Sequence, residues 1–414
     1  MSTLYPRRAT AAVTAALSDT RVVVLNGARQ TGKSTLARLI AGVQPDSEIR
    51  YLDDAAMRAA AQADPTAFVR HEGLLVIDEV QRVPDLMLAI KHTVDQDTRP
   101  GRFLLTGSAR LFGLQEIPDL LPGRTETIEL WPLSQDEIVG SSNSFVGNVF
   151  EHGSAVQVST SDLNRNDYIQ RALAGGYPEA VARTDLGRRA RFFESYVSDL
   201  INRDVRQVSD IGRRADMRRL LNVVAAQMAS LAVPAAMADK LQLPASTLKR
   251  YLDLLGLLFI IRRIPAWSTN LATRAVATPK LTVTDSGLAG HLAGLTPRRA
   301  MHPTAPIGPL LENFVLGELG RQLTWAEEPV RLYHYRDRDG YEVDAILEHA
   351  AGDVVAIEVK AAETVRSEDF RSIRSIQRRL GDQLLAGFVL YAGGHALSFG
   401  DRLRALPIST LWTR

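Results

Sequence analysis

The stretch "VVVLNGARQTGKSTLARLI", residues 22–40, contains the pattern Gly-x-x-x-x-Gly-Lys-Ser at positions 27–34. An apolar run precedes this pattern and a helix-forming run follows it, which predicts a buried strand, a loop and a helix in that order. The two glycines allow a tight loop whose backbone N–H groups can surround a phosphate, and the positive end of the following helix favours the same anion. A glycine-rich turn without a ligand is the alternative, but the order of the elements favours a phosphate-binding loop.

Two side chains of this loop have predicted contacts with a bound nucleotide. Lys33 can reach the β- and γ-phosphates, and the Ser34 hydroxyl can bind a magnesium ion. We therefore predict ATP and Mg²⁺ as cofactors, with Lys33 as a catalytic residue. The predicted ATP-binding residues are Gly27, Ala28, Arg29, Gln30, Thr31, Gly32, Lys33, Ser34 and Thr35.

The segment "LLVIDEV", residues 74–80, supplies an acidic partner for the loop. Its first four residues are apolar and predict a buried strand that ends in Asp78 and Glu79. Asp78 can hold magnesium through water, and Glu79 can polarise the attacking water. Acidic residues are common at strand ends. This acidic pair is a strong indication of a nucleotide site only because it lies roughly fifty residues after the glycine-rich loop.

Two further segments carry candidates for the same site. "RFLLTGSARLF", residues 102–112, predicts a strand whose end carries Thr106 and Ser108; either can contact the γ-phosphate or simply cap a turn. "LLPGRTETIEL", residues 120–130, places Arg124 after a Pro-Gly turn. An arginine on a loop before a strand can act on the nucleotide of a neighbouring subunit, although the chain contains many other arginines. We include Ser108 and Arg124 among the predicted catalytic residues.

Strand-like runs alternate with helical stretches in the first third of the chain. These runs are residues 22–25, 48–52, 74–77, 103–106 and 126–134. The alternation predicts an α/β domain with a parallel sheet. A stretch rich in Ser, Asn and Gly, residues 140–166, indicates a domain boundary or a long loop, and residues 168–292 have a mainly helical pattern.

The composition limits the classes of protein to consider. A chain of 414 residues suits two or three domains, and a hydrophobic share of 45% allows ordinary cores. With a net charge of +2, any nucleic-acid-binding surface has to be local, and the absence of cysteine excludes disulfides, thiolate zinc sites and cysteine nucleophiles. We find neither a signal peptide nor an apolar run long enough for a membrane span, so we expect a soluble cytoplasmic protein.

Several motifs together resemble a known family. "NGARQTGKST", "LLVIDEVQ", "LLTGSA", "LPGR" and "PLSQDE", in that order, are similar to the prokaryotic AAA-type ATPases that carry a C-terminal domain of unknown function. "GGYPEAV", "TVTDSGLAGHL" and "EVDAILE…IEVKA" extend the likeness over nearly the whole chain, although the family usually has proline where Ala28 stands. The resemblance implies an AAA+ core, a winged-helix segment and a restriction-endonuclease-like terminal domain, and it implies little about the cellular task.

We therefore expect an α/β protein of four parts. They are an AAA+ P-loop ATPase core at 1–140, a linker and helical lid at 141–230, a winged-helix segment at 231–295 and a restriction-endonuclease-like domain at 296–414.

The middle segment can also be interpreted from its own residues. "SLAVPAAMADKLQLPASTLKRYLDLLGLLFIIRRIPAW", residues 230–267, predicts a helix, a turn, a second helix and a strand, which is a winged-helix pattern. Such a fold can place its second helix on DNA, and we expect backbone contact rather than sequence readout. The predicted DNA-binding residues are Lys249, Arg250, Arg262 and Arg263. A structural lid or a protein-docking module is the alternative.

The segment "YEVDAILEHAAGDVVAIEVKA", residues 341–361, predicts a hairpin with unusual charges. If the two strands pair around a five-residue loop, 349–353, Asp344 lies opposite Glu358 and on the same side as Lys360. Opposed carboxylates repel each other unless a cation lies between them, and a divalent metal ion can fill that position with Lys360 activating a water. Glu312, on the preceding helix, is a candidate fourth ligand. A nuclease-like fold that only holds DNA or other subunits is the alternative.

Three functions are compatible with these features. The leading interpretation is an ATP-hydrolysing, DNA-dependent motor that acts on duplex or branched DNA in repair or recombination. If Arg124 acts on a neighbouring subunit, the protein is a homo-oligomeric ring such as a hexamer. The alternatives are a signalling-type nucleotide switch that binds a protein partner and an ATP-regulated, metal-dependent nuclease.

Overall fold

The computed structural model describes residues 4–107, 121–204, 214–270, 272, 274 and 277–413. Ser108, one of the predicted catalytic residues, lies outside these described residues. Within the described part of the chain, no helix combines the length and the apolar character that crossing a membrane requires.

The first domain is built on a parallel β-sheet. Its strands are β1 (Val22–Asn26), β2 (Glu48–Tyr51), β3 (Leu75–Asp78), β4 (Phe103–Gly107) and β5 (Thr125–Glu129). They lie in the order β2-β3-β4-β1-β5, and every neighbouring pair is parallel. Because β4 lies between β1 and β3, the carboxyl ends of these three strands meet at one edge of the sheet. The predicted α/β domain with a parallel sheet is confirmed.

Helices cover both faces of this sheet, as a parallel sheet requires. They are α1 (Ala9–Asp19), α2 (Lys33–Ala41), α3 (Ala55–Ala63), α4 (Pro65–Phe68) and α5 (Leu86–Gln96). Side chains of β1 alternate between the two layers: Val23 and Leu25 pack with α1 and α2, while Val22 and Val24 pack with α4 and α5. A short helix, α6 (Gln135–Val139), follows the sheet and begins with a capping box at Ser134.

The predicted long loop at 140–166 is partly helical and packs against the end of the chain. Helix α7 (Phe145–His152) lies within it, and Phe145 contacts Phe388 with ring centroids 6.0 Å apart. Asn143 Nδ2 donates a 2.9 Å hydrogen bond to the carbonyl of Thr410. The polar composition indicated a loop, but the apolar side chains of α7 find a buried surface on the terminal domain.

The middle of the chain is mainly helical. Its helices are α8 (Arg165–Ala174), α9 (Pro178–Val181), α10 (Leu186–Asp199), α11 (Arg214–Ala226), α12 (Pro234–Leu241), α13 (Ala245–Leu257), α14 (Ser286–Leu292) and α15 (Pro297–Ala300). Three strands, β6 (Ser230–Leu231), β7 (Ile261–Ile264) and β8 (Lys280–Val283), form an antiparallel sheet in the order β6-β8-β7. Helices α12 and α13 followed by β7 have the predicted order of helix, turn, helix and strand.

The terminal domain is a mixed sheet with one long helix on each face. Its elements are α16 (Ile307–Gln322), β9 (Val330–Arg336), β10 (Glu342–His349), β11 (Val354–Lys360), α17 (Arg371–Leu380), β12 (Leu384–Tyr391), β13 (Leu397–Gly400) and β14 (Leu403–Pro407). The strand order is β13-β14-β12-β11-β10-β9. Ile373 and Ile376 of α17 pack on one face, and Phe314 and Val315 of α16 belong to the core on the other.

The hairpin of β10 and β11 has the predicted register. Ala345 pairs with Ile357, and Glu348 pairs with Val354, so the turn comprises residues 349–353. The register of a hairpin follows from the alternation of side chains and the length of the loop, and both can be inferred from the sequence.

One buried apolar cluster extends from α7 through the middle helices into the terminal sheet. The parts that we expected at 141–230, 231–295 and 296–414 therefore share a core, and their boundaries stay predictions. The two faces of the first sheet have cores of their own.

Candidate functional site

The glycine-rich loop connects β1 to α2 in a form that only glycine permits at its first position. Gly27 has a φ of 153°, and a Cβ there would lie 2.2 Å from the carbonyl oxygen of Leu130. Gly32, with a φ of 96° in the left-handed region, immediately precedes α2. The loop therefore lies directly against Leu130, in the segment that follows β5.

Lys33 lies inside this loop. Its Nζ donates to the carbonyl oxygens of Gly27 at 3.0 Å and Ala28 at 2.8 Å, and the residue is buried. Thr31 Oγ1 donates to the same Ala28 carbonyl at 2.9 Å, while Ser34 is exposed in the first turn of α2. A buried ammonium held by a glycine-rich loop, next to an exposed hydroxyl, fits a phosphate group and its magnesium ion.

Of the other predicted loop residues, Gln30 is exposed with a left-handed φ of 62°, and Arg29 and Thr35 are half-buried at the loop's rim. Their positions around the loop are compatible with contacts to a nucleotide.

Thr106, at the end of β4, forms hydrogen bonds with the two acidic residues at the end of β3. Asp78 is buried at the end of β3, and its Oδ1 accepts a 2.5 Å hydrogen bond from Thr106 Oγ1. The same threonine oxygen accepts a 3.1 Å hydrogen bond from the backbone N–H of Glu79. Since β4 lies between β3 and β1, Thr106 stands between the acidic pair and the phosphate-binding loop.

Glu79 is held in an uncommon backbone conformation. Its φ is 59°, in the left-handed region, and its Oε2 accepts a 2.5 Å hydrogen bond from Gln81 Nε2. A non-glycine residue in this region is strained, and such strain is concentrated at functional sites. The conformation turns the chain after β3 and leaves the Glu79 side chain half-buried at the sheet edge.

Arg7 is a part of this site that the sequence reasoning missed. Its guanidinium donates to the carbonyl of Thr31 at 2.6 Å, to the carbonyl of Trp131 at 2.7 Å and to Glu137 Oε1 at 3.1 Å. The side chain is only 8% exposed, and that of Glu137 only 2%. Arg7 thus connects the phosphate-binding loop to α6 through hydrogen bonds. No local sequence pattern distinguishes Arg7 from the many other arginines of the chain.

Arg124 lies at the amino end of the strands, whereas the loop lies at their carboxyl end. It immediately precedes β5, whose first residue pairs with Val22 at the start of β1, whereas the loop follows the end of β1. Its Nε lies 2.6 Å from Asp95 Oδ1. Arg124 is therefore not brought together with Lys33 or Asp78 within one chain.

A second cluster of charged side chains lies where β8 of the middle segment meets the terminal domain. Lys280, at the start of β8, points its ammonium at Glu312 Oε1 (2.5 Å), Asp344 Oδ1 (3.1 Å) and Glu342 Oε1 (3.5 Å). Its side chain is 1% exposed. Asp344 Oδ2 accepts a 2.9 Å hydrogen bond from the N–H of Val359, which fixes the orientation of that carboxylate.

This cluster corrects the predicted metal site. We expected a metal ion between Asp344, Glu358 and Glu312, but the cation that lies among the carboxylates is Lys280. Within the described residues no group of three His, Cys, Asp or Glu side chains is placed to hold a metal ion. Lys360 contacts Glu358 at 3.0 Å. Lys280 was missed because it belongs to the middle segment, 64 residues from Asp344.

The environment shifts the protonation of this cluster. Burial, with the charge of Asp344, raises the pKa of Glu312 and of Glu358 well above the ordinary carboxyl value, although Lys280 and Lys360 oppose the rise. Burial lowers the pKa of Lys280, but the charges of Asp344 and the neighbouring glutamates outweigh it, and the net pKa is raised. Lys280 therefore stays an ammonium ion at neutral pH.

Family descriptions match successive parts of the chain. Residues 19–139 match "AAA domain", residues 165–299 match "Domain of unknown function (DUF8612)", and residues 307–411 match "Domain of unknown function (DUF4143)". The uncharacterized proteins Rv2008c of Mycobacterium tuberculosis and Mb2031c of Mycobacterium bovis are each 31% identical to this chain over 411 residues, which cover 98% of it and 84% of them. The chain belongs to the AAA-type ATPases that carry a C-terminal domain of unknown function. The resemblance drawn from the motifs is confirmed.

Matches to solved structures have low overall agreement with this AAA-type protein. A point mutant of RuvB from Thermotoga maritima is 20% identical, with a TM-score of 0.30, over 63% of this chain and 90% of its own. AMPPCP-bound DnaA from Aquifex aeolicus is 12% identical, with a TM-score of 0.30, over 60% and 86%. The signal transduction ATPase PH0952 from Pyrococcus horikoshii is 12% identical, with a TM-score of 0.27, over 78% and 47%. Overall agreement this low says nothing about what the AAA-type protein acts on.

The predicted DNA-binding residues of the AAA-type protein are split between surface and interior. Lys249 and Arg250 are exposed on α13. Arg263 is also exposed and pairs with Asp253 at 2.8 Å. Arg262 points inward instead: its guanidinium lies 5.4 Å from the ring centre of Trp131, and its charge faces Glu129 at the end of β5.

The expectation that Arg262 contacts DNA phosphate is therefore wrong for this arrangement. Residues alternate sides along β7, so Arg262 and Arg263 lie on opposite faces of the strand, and the face that carries Arg262 packs against the aromatic ring of Trp131. Burial lowers the pKa of Arg262 and raises the pKa of Glu129, while the attraction between the two charges opposes both shifts.

Three motifs that carried the family resemblance meet in a buried polar cluster. The N–H of Gln135, in "PLSQDE", donates to Glu318 Oε2 at 2.8 Å, and Arg321 bridges from Glu318 Oε1 (2.7 Å) to the Thr284 carbonyl (3.1 Å). Asp285, in "TVTDSGLAGHL", accepts a 2.6 Å hydrogen bond from the N–H of Gly176, in "GGYPEAV". These motifs join the ATPase domain to the middle and terminal domains.

Proposed function

We propose that this AAA-type protein binds and hydrolyses ATP and uses the cycle to act on DNA. The observation that carries the ATPase proposal is the alignment of Lys33, Thr106 and Asp78 along one sheet edge, with Thr106 bonded to Asp78 at 2.5 Å. Phosphoryl transfer depends mainly on positioning and on charge stabilisation, and this edge supplies a cation, a metal-binding carboxylate and a second carboxylate.

Each residue has a proposed task in hydrolysis. Lys33 contacts the β- and γ-phosphates, and Ser34 together with Asp78 holds Mg²⁺. The magnesium ion supplies charge neutralisation at the phosphates when it is bound. Glu79 orients the attacking water, and Thr106 keeps Asp78 and the backbone of Glu79 in place.

The position of Arg124 supports the proposal that the protein forms a ring of identical subunits. The five residues of β5 separate it from its own loop by roughly 15 Å. In a homo-oligomeric ring such as a hexamer, Arg124 would face the nucleotide of the next subunit and stabilise the charge of the transferred phosphate. Mixing Arg124→Ala subunits with Lys33→Ala subunits tests this: if Arg124 acts in trans, the mixture recovers part of the activity that each variant lacks alone.

The proposed contact with DNA is through α13. Lys249 and Arg250 are both exposed on the second helix of a helix–turn–helix arrangement, and two strands follow it. Point charges on an exposed helix suit the phosphate backbone of duplex or branched DNA, as in repair or recombination, better than base edges.

Measuring ATP hydrolysis with and without duplex, branched and single-stranded DNA tests the proposal. We expect stimulation by one of the first two, and a Lys249→Ala/Arg250→Ala variant should lose it at physiological salt. The matched control is Arg298→Ala, which removes an exposed arginine of α15. Indifference of the wild-type ATPase to all three nucleic acids would reject a DNA-acting machine.

A nucleotide switch that binds a protein partner is the second candidate, and one observation favours it. The segment just after β7, at the base of the wing in a winged-helix domain, contacts the terminal sheet: Trp267 N donates to the His334 carbonyl at 2.6 Å. A wing whose base is held in this way is less suited to entering a DNA groove. Turnover that is very slow, unaffected by DNA and carried out by a monomer would favour the switch.

A further inference from the structure

A cavity of about 340 Å³ lies where α6 of the ATPase domain meets the first helices of the middle segment. Its walls come from α6, α8, α9 and α10. Two of the motifs that carried the family resemblance line it, "PLSQDE" through Gln135 and "GGYPEAV" through Gly175 and Val181. None of the phosphate-binding loop's residues 27–35, all of which the structure describes, belongs to its lining.

Helix α6 separates this cavity from the phosphate-binding loop. Glu137 accepts a hydrogen bond from Arg7, which also donates to the Thr31 carbonyl of the loop. Gln135 and Ile138 are three residues apart, so they share one face of the helix, and both line the cavity. Glu137 is two residues after Gln135 and therefore lies on nearly the opposite side of the helix. The cavity is thus a different site from the proposed ATP site.

Two guanidinium groups line the cavity, and neither has a carboxylate partner in the described part of the chain. Arg171 donates to Gln135 Oε1 at 3.0 Å and lies 5.8 Å from the ring centre of Trp412, while Arg189 Nε donates to the carbonyl of Ala180 at 3.0 Å. Both arginines are half-buried, and burial lowers the pKa of Arg189. Removing a charge from water without a counter-ion is costly, so this pair favours an anion in the cavity.

The side chain of Gln135 supplies an unused donor beside these arginines. Gln135 is only 3% exposed, and because Arg171 can only donate, the atom that it contacts is the amide oxygen. The amide nitrogen has no hydrogen-bond partner among the residues that the structure describes. Polar groups of buried side chains are normally hydrogen-bonded. The NH₂ group of Gln135 is therefore available to a ligand in the cavity.

The rest of the lining adds little negative charge and some apolar surface. The described lining contains one carboxylate, that of Asp167, whose Oδ2 accepts a 2.9 Å hydrogen bond from the N–H of Asn164 in the capping box of α8. Ile138, Leu163 and Val181 are apolar. A ligand that matches these walls has an oxyanion for the arginines and the amide, and a small apolar body.

We propose that this cavity binds a small organic oxyanion, whose charged group is held by Arg171, Arg189 and the NH₂ group of Gln135. Phosphate and carboxylate groups share the chemistry that these donors recognise, since a guanidinium forms paired hydrogen bonds with either of them. The inference goes beyond the proposed ATPase activity and does not depend on it, because the ligand occupies a separate cavity and no nucleotide enters its test.

Isothermal titration calorimetry of the full-length protein with phenyl phosphate, benzoate and inorganic phosphate tests the proposal. We expect one site that binds at least one of the two organic anions more tightly than inorganic phosphate, because only the organic anions contact the apolar wall. Tighter binding of phenyl phosphate identifies a phosphate ligand, and tighter binding of benzoate identifies a carboxylate. Arg189→Gln should weaken binding at least about 10-fold. The matched control is Arg188→Gln, which removes the exposed neighbouring arginine outside the lining and should leave binding unchanged.

Binding at the phosphate-binding loop is recognised with Lys33→Ala, which should keep the site. The proposal is overturned if the wild type binds neither organic anion with a Kd below about 10 mM. It is also overturned if Arg189→Gln and Arg188→Gln bind alike, or if Lys33→Ala abolishes binding. If Arg189→Gln does not fold, Gln135→Glu decides instead: it keeps the acceptor for Arg171, places a negative charge beside the ligand, and should weaken binding by at least about 10-fold. Unchanged binding by a folded Gln135→Glu protein rejects the inference.

Discussion

Thr106 Oγ1 donates a 2.5 Å hydrogen bond to Asp78 Oδ1 and accepts one of 3.1 Å from the N–H of Glu79. Thr106 belongs to β4, the strand between the phosphate-binding loop's strand and the acidic strand. One buried hydroxyl thus sets the position of both acidic residues relative to the loop. Strand β1 leads to Lys33 and strand β3 leads to the carboxylates, and these two strands are not neighbours. The distance between the cation and the carboxylates therefore depends on β4, which lies between them.

Replacing this hydroxyl should slow ATP hydrolysis more than it weakens nucleotide binding. Thr106→Val has nearly the same shape but leaves Asp78 and the Glu79 N–H without their shared partner, so we expect kcat to fall roughly 10- to 100-fold. Thr106→Ser keeps the hydroxyl and should retain most of the activity. The measurement is steady-state kinetics together with nucleotide affinity, and full activity of Thr106→Val would show that the bond is dispensable.

Removing Arg7 should loosen the phosphate-binding loop. Arg7→Ala takes the Arg7 donor away from the Thr31 carbonyl and removes the cation beside the buried Glu137, which keeps its hydrogen bonds from the backbone N–H groups of Arg8 and Ser134. We expect the loss of this buried ion pair to reduce the free energy of unfolding by about 3 kcal/mol. In Arg7→Ala/Glu137→Gln the unpaired charge is gone, so stability should recover while nucleotide affinity stays low. Denaturant unfolding and nucleotide titration separate the two effects.

The control for Arg7 is its neighbour. Arg8 pairs with Asp136 at 2.7 Å, but its side chain is 29% exposed. The described side-chain hydrogen bonds of Arg8 go to Asp136, Ser141 and Asn143 and not to the phosphate-binding loop, so Arg8→Ala should leave nucleotide affinity unchanged. Equal effects of the two variants on affinity would contradict a specific role of Arg7 at the loop.

The two adjacent arginines of β7 should behave differently on substitution. Arg262→Ala removes the contact with Trp131 and leaves Glu129 without its counter-charge, so we expect a loss of about 1 to 2 kcal/mol in the free energy of unfolding. Arg263→Ala removes an exposed ion pair and should change stability by less than about 1 kcal/mol. Denaturant unfolding of both variants is the measurement, and a larger effect of Arg263→Ala would reverse the assignment of inner and outer faces.

Glu318 should make stability depend on pH. Burial raises its pKa to about 7, although Arg321 and the N–H of Gln135 oppose the rise. The folded state then binds a proton that the unfolded state has released, so this residue's contribution to stability falls as pH rises from the unfolded pKa towards 7 and levels off above it.

Comparing wild type with Glu318→Gln isolates this contribution. Glutamine cannot titrate, so the stability of the wild type relative to Glu318→Gln should decline between about pH 5 and pH 7 by at most about 3 kcal/mol. Thermal unfolding of both proteins over this range is the measurement. A difference that stays constant with pH would mean that Glu318 is ionised throughout.

Several features were predictable because their causes are local. The strand, loop and helix around Lys33 follow from an apolar run, two glycines and a helix-forming run that are contiguous. The hairpin register follows from side-chain alternation and a turn of residues 349–353. The helix inside the predicted loop at 140–166 was harder, because the apolar side chains of α7 are few and their packing partners lie near the end of the chain.

The charged contacts could not be predicted in the same way. Lysine occurs six times in the chain, and this rarity gave the only sequence signal at Lys280, with nothing to connect it to Asp344. Arg262 and Arg263 are adjacent in sequence, and only the position of Trp131 decides which one is buried.

The sequence by itself determined the phosphate-binding loop, the parallel sheet of the first domain and the register of the terminal hairpin, because each rests on residues close together along the chain. The tertiary structure alone decided that Arg7 holds the loop, that Arg262 faces inward and that Lys280 lies where a metal ion was expected. Those contacts join segments that are far apart along the chain. They depend on how whole domains dock, and docking is set by the shape and charge of complete surfaces rather than by any local pattern.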